Sequence, residues 1–343
     1  MNTPTLRARF QAALAGEAIQ QPIYGVYDWF IRNRPLDWPG LYQQGLGIIA
    51  HADLLAVERP NVQVIETLTE TDQGQRKDVR WITDIGELHE WFLGEWRQEH
   101  LIKQPQDYGI MARALEGRRV RLTHEMYDSM DAFAGEQGIV LGQIGRTPFQ
   151  EVQIDMAGLE RFSIDLADEC PEMFELLELM TAQKLEDFRL AIDGPAQYIK
   201  LWENLSIETM GPSIFRRHVV PVYHRIFDIL AGSDKHLLVH YDGRLKSIAS
   251  QIAALNFDGI DSFTQAPEGD MTVNEARKSW PDKFLWLHPN LGWFALPEQE
   301  LIARIRQMVQ DAGPRRYCLM ISEDIPPDWQ RTVPAVLRAL GSY

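Results

Sequence analysis

Hydrophobic and polar positions change texture near residue 120. Before it, the segment up to Gln21 patterns as a surface helix. Ile23–Phe30 (IYGVYDWF), dense in β-branched and aromatic residues, predicts a buried strand. Val62–Thr69 and Lys77–Thr83, joined by Thr71-Asp72-Gln73-Gly74, predict a β-hairpin, because Asp and Gly accept the backbone angles of a reversal. Pro105 suits the first turn of a helix.

Beyond residue 120, short apolar runs alternate with long amphipathic ones. Gly138–Gly145, Gln197–Trp202, His236–His240, Gly259–Phe263, Phe284–His288 and Tyr317–Ser322 predict strands. Pro171–Ile192, the stretch from Pro212 to Leu230, Leu245–Leu255, Val273–Trp280, the segment bearing Leu301, Ile305 and Met308, and Val333–Leu340 predict helices. Strand–helix alternation of this length implies a parallel sheet. No GxGxxG or GxxxxGK[ST] follows the first strand, which argues against an open nucleotide-binding sheet. The predicted fold is therefore an α/β, (β/α)8 TIM barrel with an N-terminal helical and β-hairpin elaboration. It is read as one domain over residues 1–343.

Composition narrows the function. Across 343 residues, 34 Lys and Arg face 49 Asp and Glu, a net charge of −15. That balance disfavours nucleic acid and anionic membrane surfaces, which require clustered Lys and Arg. Cys170 and Cys318 can build neither a disulfide framework nor a multi-thiolate zinc site. No apolar run is long enough for a membrane span, and the N-terminus lacks the continuous apolar core of a signal peptide. A cytoplasmic protein is expected.

In such a barrel the chemistry gathers at the C-terminal ends of the strands. Those ends supply Tyr27, Asp28 and Trp29; Gln143; Glu203 and Asn204; His240, Asp242 and Gly243; Asp261; His288; and Glu323. Alternate strand residues share a side, so His240 and Asp242 can converge. If Glu323, with or without Glu203, leans in from its own strand, the set is one imidazole and two or three carboxylates, donors suited to Zn²⁺ or another divalent metal. The alternative is that His240 and Asp242 only hydrogen-bond around a turn made by Gly243. Tyr27 and Trp29, with Arg32 and Arg34 nearby, suit a planar ligand bearing a carboxylate. His124, within LTHEMYDSM, is a further substrate-pocket candidate.

The order of elements and several motifs resemble the uroporphyrinogen decarboxylase and cobalamin-dependent methyltransferase superfamily. The resemblance is best over Pro195–Tyr343. It rests on WENLSIETMGPSIFRRHVVPVYHRIFDIL, HLLVHYDGRLKSIASQIAALNFDGID and YCLMISEDIPPDW, with WITDIGEL and IKQPQDYGIM upstream. It implies a (β/α)8 barrel. The thiol-linked methyltransferases of this superfamily carry His-x-Cys and a later Cys as zinc ligands. Here His240 matches the His, Asp242 stands at the first Cys and Glu323 at the second, so the implied site is harder. The decarboxylase's arginine-rich segment is matched only by Arg32-Asn33-Arg34.

The resemblance implies a methyltransferase that demethylates a methoxylated or methylated small molecule onto a corrinoid (cobalamin) protein. In that reading His240, Tyr27 and Asp28 are catalytic. Trp29, Arg32, Arg34, His124, Gln143, Asn204 and His288 bind substrate. His240, Asp242, Glu323 and Glu203 hold the metal. The alternatives are a decarboxylase of a tetrapyrrole or small acid, with the arginines gripping carboxylates, and a non-catalytic ligand-binding barrel. Candidate partners are a small-molecule substrate, a corrinoid protein and a second copy of the chain.

Overall fold

The computed structural model describes residues 4–33, 37–322, 324, 326 and 328–341. They divide into two compact units. The first comprises residues up to Leu54, Thr123–Ile144 and Gly194 onward; the second comprises Leu55–Leu122 and Gly145–Asp193.

The first unit is a closed barrel of eight parallel strands: β1 Tyr24–Tyr27, β2 Leu46–Asp53, β3 Gly138–Gln143, β4 Tyr198–Leu201, β5 His236–His240, β6 Gly259–Thr264, β7 Phe284–His288 and β8 Tyr317–Met320. Each strand pairs with its sequence neighbours, and β1 closes against β8. The expected (β/α)8 TIM barrel is the observed architecture. Near-continuous burial along β4 to β8 explains why these strands read as apolar runs rather than alternating ones.

Local chemistry sets the closure. Gly138 pairs with Ile48, and a Cβ there would sit 1.9 Å from the Ile48 carbonyl oxygen, so only glycine lets β3 approach β2. The helix Leu6–Leu14, capped by the Thr5 hydroxyl, buries Phe10 completely. The Phe10 ring lies beneath β1 and β2, where a Cβ on Gly47 would come within 2.6 Å of it. The expected surface helix therefore has a buried side. Glu298–Ala312 and Trp329–Leu340 pack together around the barrel, through stripes such as Leu301, Ile305 and Met308. Val273–Ser279 starts with a reciprocal capping box between Thr272 and Glu275.

Three local expectations change. The strand predicted over Ile23–Phe30 stops at Tyr27, and Asp28–Asn33 is helical, so Trp29 and Phe30 belong to a helix's first turn. Leu46–Asp53 is a full barrel strand that the pattern did not single out. Leu245–Leu255 is a 3₁₀ turn, Lys246–Ile248, followed by one short helix, Ala249–Ala253.

In the second unit the predicted hairpin forms two strands of a four-stranded antiparallel sheet: Gln63–Thr71, Gly74–Ile82, Glu87–Leu93 and Trp96–Glu99. Leu55–Glu58 pairs antiparallel with Arg119–Leu122. Pro105–Leu115 packs against Pro171–Ala191. The Tyr108 hydroxyl donates to Asp165 over 2.8 Å, and Arg161 holds the same carboxylate. Among the described residues, no helix is long and apolar enough to cross a membrane.

Candidate active site

Inside the barrel, at the C-terminal strand ends, polar side chains from β1, β2, β4, β5, β6 and β7 form one network. Its centre is Lys200 on β4, with no exposed surface, although it lies between Ile199 and Leu201 in an apolar strand. The Lys200 ammonium pairs with the equally buried Asp261 of β6. It also donates to Nε2 of His51 on β2 over 3.2 Å. Its third direction meets the Trp202 ring, 3.5 Å from the centroid.

Asp261 collects three donors. The Tyr27 hydroxyl reaches Oδ1 at 2.5 Å, while Lys200 and His240 Nδ1 share Oδ2, the latter at 2.8 Å. Burial pushes the Asp261 carboxyl up. The Lys200 ammonium and the His240 imidazole outweigh that and hold it well below the usual carboxylate range. An ionised Asp261 accepts the Nδ1 proton of His240 and leaves Nε2 on the far side of the ring. His288 Nε2 donates to the Tyr27 oxygen at 3.1 Å, because the single phenolic proton already goes to Asp261.

On the other flank, His51 Nδ1 donates 2.9 Å to Asp28, which also pairs with Arg32. Burial first, and the Lys200 ammonium second, lower the His51 pKa to about 4. A continuous chain results: Arg32, Asp28, His51, Lys200, Asp261, His240. Aromatic rings wall it. Tyr27 and Trp29 stack with centroids 4.3 Å apart, and Trp202 lies 5.4 Å from Trp29 and 5.2 Å from His240. Gln143 orients this wall: its Oε1 accepts the Trp202 indole proton at 2.7 Å while its amide donates 2.8 Å to Asp53.

The sequence-predicted residues therefore part company. Tyr27, Asp28, Trp29, Arg32, His240 and His288 belong to the network, and Gln143 supports its wall. Asn204 is exposed, with a left-handed φ of 46°. His124 is exposed at the start of the helix Glu125–Ala134. Glu203 is buried beside the Tyr223 and Tyr241 hydroxyls, and its charge helps drive both phenols upward after burial itself. Asp242 is half-buried. Arg34 and Glu323 lie outside the described residues.

Among the described residues, no three His, Cys, Asp or Glu side chains form a group that could hold a metal ion. His240 Nδ1 goes to Asp261 while its Nε2 points away from that pair, and Glu203 engages the tyrosines. Of the expected ligand set, the three described members His240, Asp242 and Glu203 do not gather into such a group. His51, Lys200 and Trp202 were not foreseen as site residues. The available signal was a histidine or lysine inside a run otherwise apolar enough to be buried on both sides.

No family model matches the sequence, and no curated protein matches it. Among solved structures, a methyltransferase from Methanosarcina mazei is similar over 99% of both chains, with a TM-score of 0.59 and 11% identity. A B12-independent methionine synthase from Shewanella sp. W3-18-1, in complex with selenomethionine, aligns with 89% of this chain and 83% of its own, with a TM-score of 0.43 and 9% identity. The chain shares the barrel fold of the first protein over its whole length.

Proposed function

We propose that this barrel is a methyltransferase of the uroporphyrinogen decarboxylase superfamily type, taking a methyl group from a methoxylated small molecule. The observation that carries the reading is the Asp261–His240 pair at the barrel's catalytic end, beside an aromatic wall. The whole-chain fold likeness to a methyltransferase supports it.

Breaking a methyl–oxygen bond leaves an electron pair on oxygen, which must be neutralised. His240 presents Nε2 to the leaving oxygen and hands it a proton. Asp261 supplies the counter-charge for the imidazolium that does so. Lys200 is a positioning residue: it keeps Asp261 ionised and immobile. Trp29 and Trp202 give a planar substrate two faces to stack on. The methyl carbon passes to a nucleophilic acceptor, for which a corrinoid on a partner protein is the proposed group. When bound, the corrinoid supplies the electron pair that forms the new bond to carbon.

The test incubates the purified chain with a panel of methoxybenzenes and reduced free cobalamin, and follows phenol release by chromatography. Replacing His240 by Ala is expected to lower the rate about 10²–10⁴-fold, the usual contribution of a general acid. No phenol from any donor, or an unimpaired His240→Ala variant, overturns the reading. Carbon dioxide release from small aromatic acids would instead favour a decarboxylase. Stoichiometric metal in the purified protein, lost in His240→Ala, would replace the proton relay with a metal-centred mechanism.

A further inference from the structure

Three rings surround the Lys200 ammonium. Nζ lies 3.5 Å from the Trp202 centroid, 4.9 Å from Tyr27 and 5.7 Å from Trp29. Trp29 and Trp202 are only half-buried, so the cage has an outer side. Such a box of π faces with a carboxylate at its base is the arrangement that recognises quaternary ammonium ligands. Here the cation comes from the chain itself, and Asp261 forms the base.

We propose that Lys200 is the specificity determinant of this site. It fills an aromatic cage that would otherwise accept methylated ammonium compounds, and so restricts the site to neutral or anionic oxygen-linked methyl donors. Two physical effects act together. The lysine side chain takes the volume that a trimethylammonium group needs. Its fixed charge, buried among the rings, also repels a second cation at close range. The consequence for methyl donors rests on the function proposed above, whereas the cage itself can be tested without turnover.

The experiment compares tetramethylammonium chloride with tert-butyl alcohol, a neutral molecule of similar shape, on wild type and Lys200→Ala. Binding is followed by quenching of tryptophan fluorescence and by the shift in melting temperature. Lys200→Ala is expected to bind tetramethylammonium at least tenfold more tightly than wild type, and to respond little to tert-butyl alcohol. Equal affinity in wild type and variant overturns the proposal, as does an equal response to the neutral molecule. If Lys200→Ala fails to fold because Asp261 is left unpaired, the double variant K200A/D261N keeps the cage without the buried charge. It should still prefer tetramethylammonium over tert-butyl alcohol, and loss of that preference refutes the cage. Cage binding together with absent methyl transfer would fault the function reading and leave this inference standing.

Discussion

His51 makes acid stability a direct probe of the network. Its Nε2 lone pair faces the Lys200 ammonium at 3.2 Å, and 6% of its surface is exposed. Protonating it would place two cations in contact without water. The folded-state pKa is accordingly lowered from 6.5 to about 4. The unfolded chain, whose histidine titrates near 6.5, therefore binds more protons between the two values, and folding stability falls as pH falls through that window. Above pH 6.5 the group is neutral in both states and contributes no slope. Below about pH 4 both states are protonated and the loss saturates. A difference of about 2.5 pK units at 1.36 kcal/mol each corresponds to about 3 kcal/mol lost between pH 6.5 and 4. His51→Gln keeps an acceptor for Lys200 and removes the titration. Its stability should decline over the same interval by about 3 kcal/mol less than wild type, measured by urea denaturation at each pH. A ¹⁵N–¹H titration of the histidine rings reports the same event without assuming two-state unfolding. A His51 ring that titrates near 6.5, or equal pH slopes in the two proteins, refutes the reasoning.

Two further outcomes follow from the packing. Asp261→Asn strands the buried Lys200 charge and should cost roughly 3–5 kcal/mol in equilibrium unfolding, whereas K200M/D261N should recover most of that, because removing both partners of a buried pair is far less costly than removing one; additive losses in the double variant would show that the pair is not coupled. Gly138→Ala drives a methyl group to 1.9 Å from the Ile48 carbonyl oxygen, a backbone atom that cannot rotate away, so it should cost about 3 kcal/mol, the top of the overpacking range; a change in melting temperature of a degree or less would mean that β2 and β3 separate readily.

The barrel was legible because burial on both sides of a parallel strand leaves a signature. His236–His240 and Phe284–His288 are strands over the same residues that their apolar runs predict. The pattern misled where another element used the same residue types. Trp29 and Phe30 prolong the apolar run of β1, yet Asp28 begins a helix there, and the aromatics are packed for a different reason. LGIIAHAD was passed over although it forms a full strand, since it lies before the regular strand–helix alternation that begins near residue 120. The site was half legible. Reading strand ends located Tyr27, Asp28, His240 and His288, because a barrel exposes those ends to one mouth. It could not locate Lys200 or His51. Each sits inside an apolar strand, and its partner is set only by closure: His51 meets Lys200 across 149 residues, and Tyr27 meets Asp261 across 234.

That closure places an ion pair where stability alone would favour hydrophobic residues. Taking Lys200 and Asp261 wholly out of water costs several kcal/mol per ion, and their attraction recovers it only through further hydrogen bonds. The network supplies those bonds from Tyr27, His240 and His51. A second cost falls on the same strand. β6 shifts register between Ile260 and Phe263, and Ser262, the residue after Asp261, holds a left-handed φ of 67° within the strand. A non-glycine residue there is strained by about 1–3 kcal/mol. A bulge of this kind re-aims neighbouring side chains, and here the neighbour is the carboxylate that anchors three donors. Two unfavourable features, one electrostatic and one conformational, thus meet at one strand end. Neither improves packing, and both fix the position and charge of Asp261. Fixing them also fixes the orientation of the His240 ring, whose Nδ1 proton goes to Asp261.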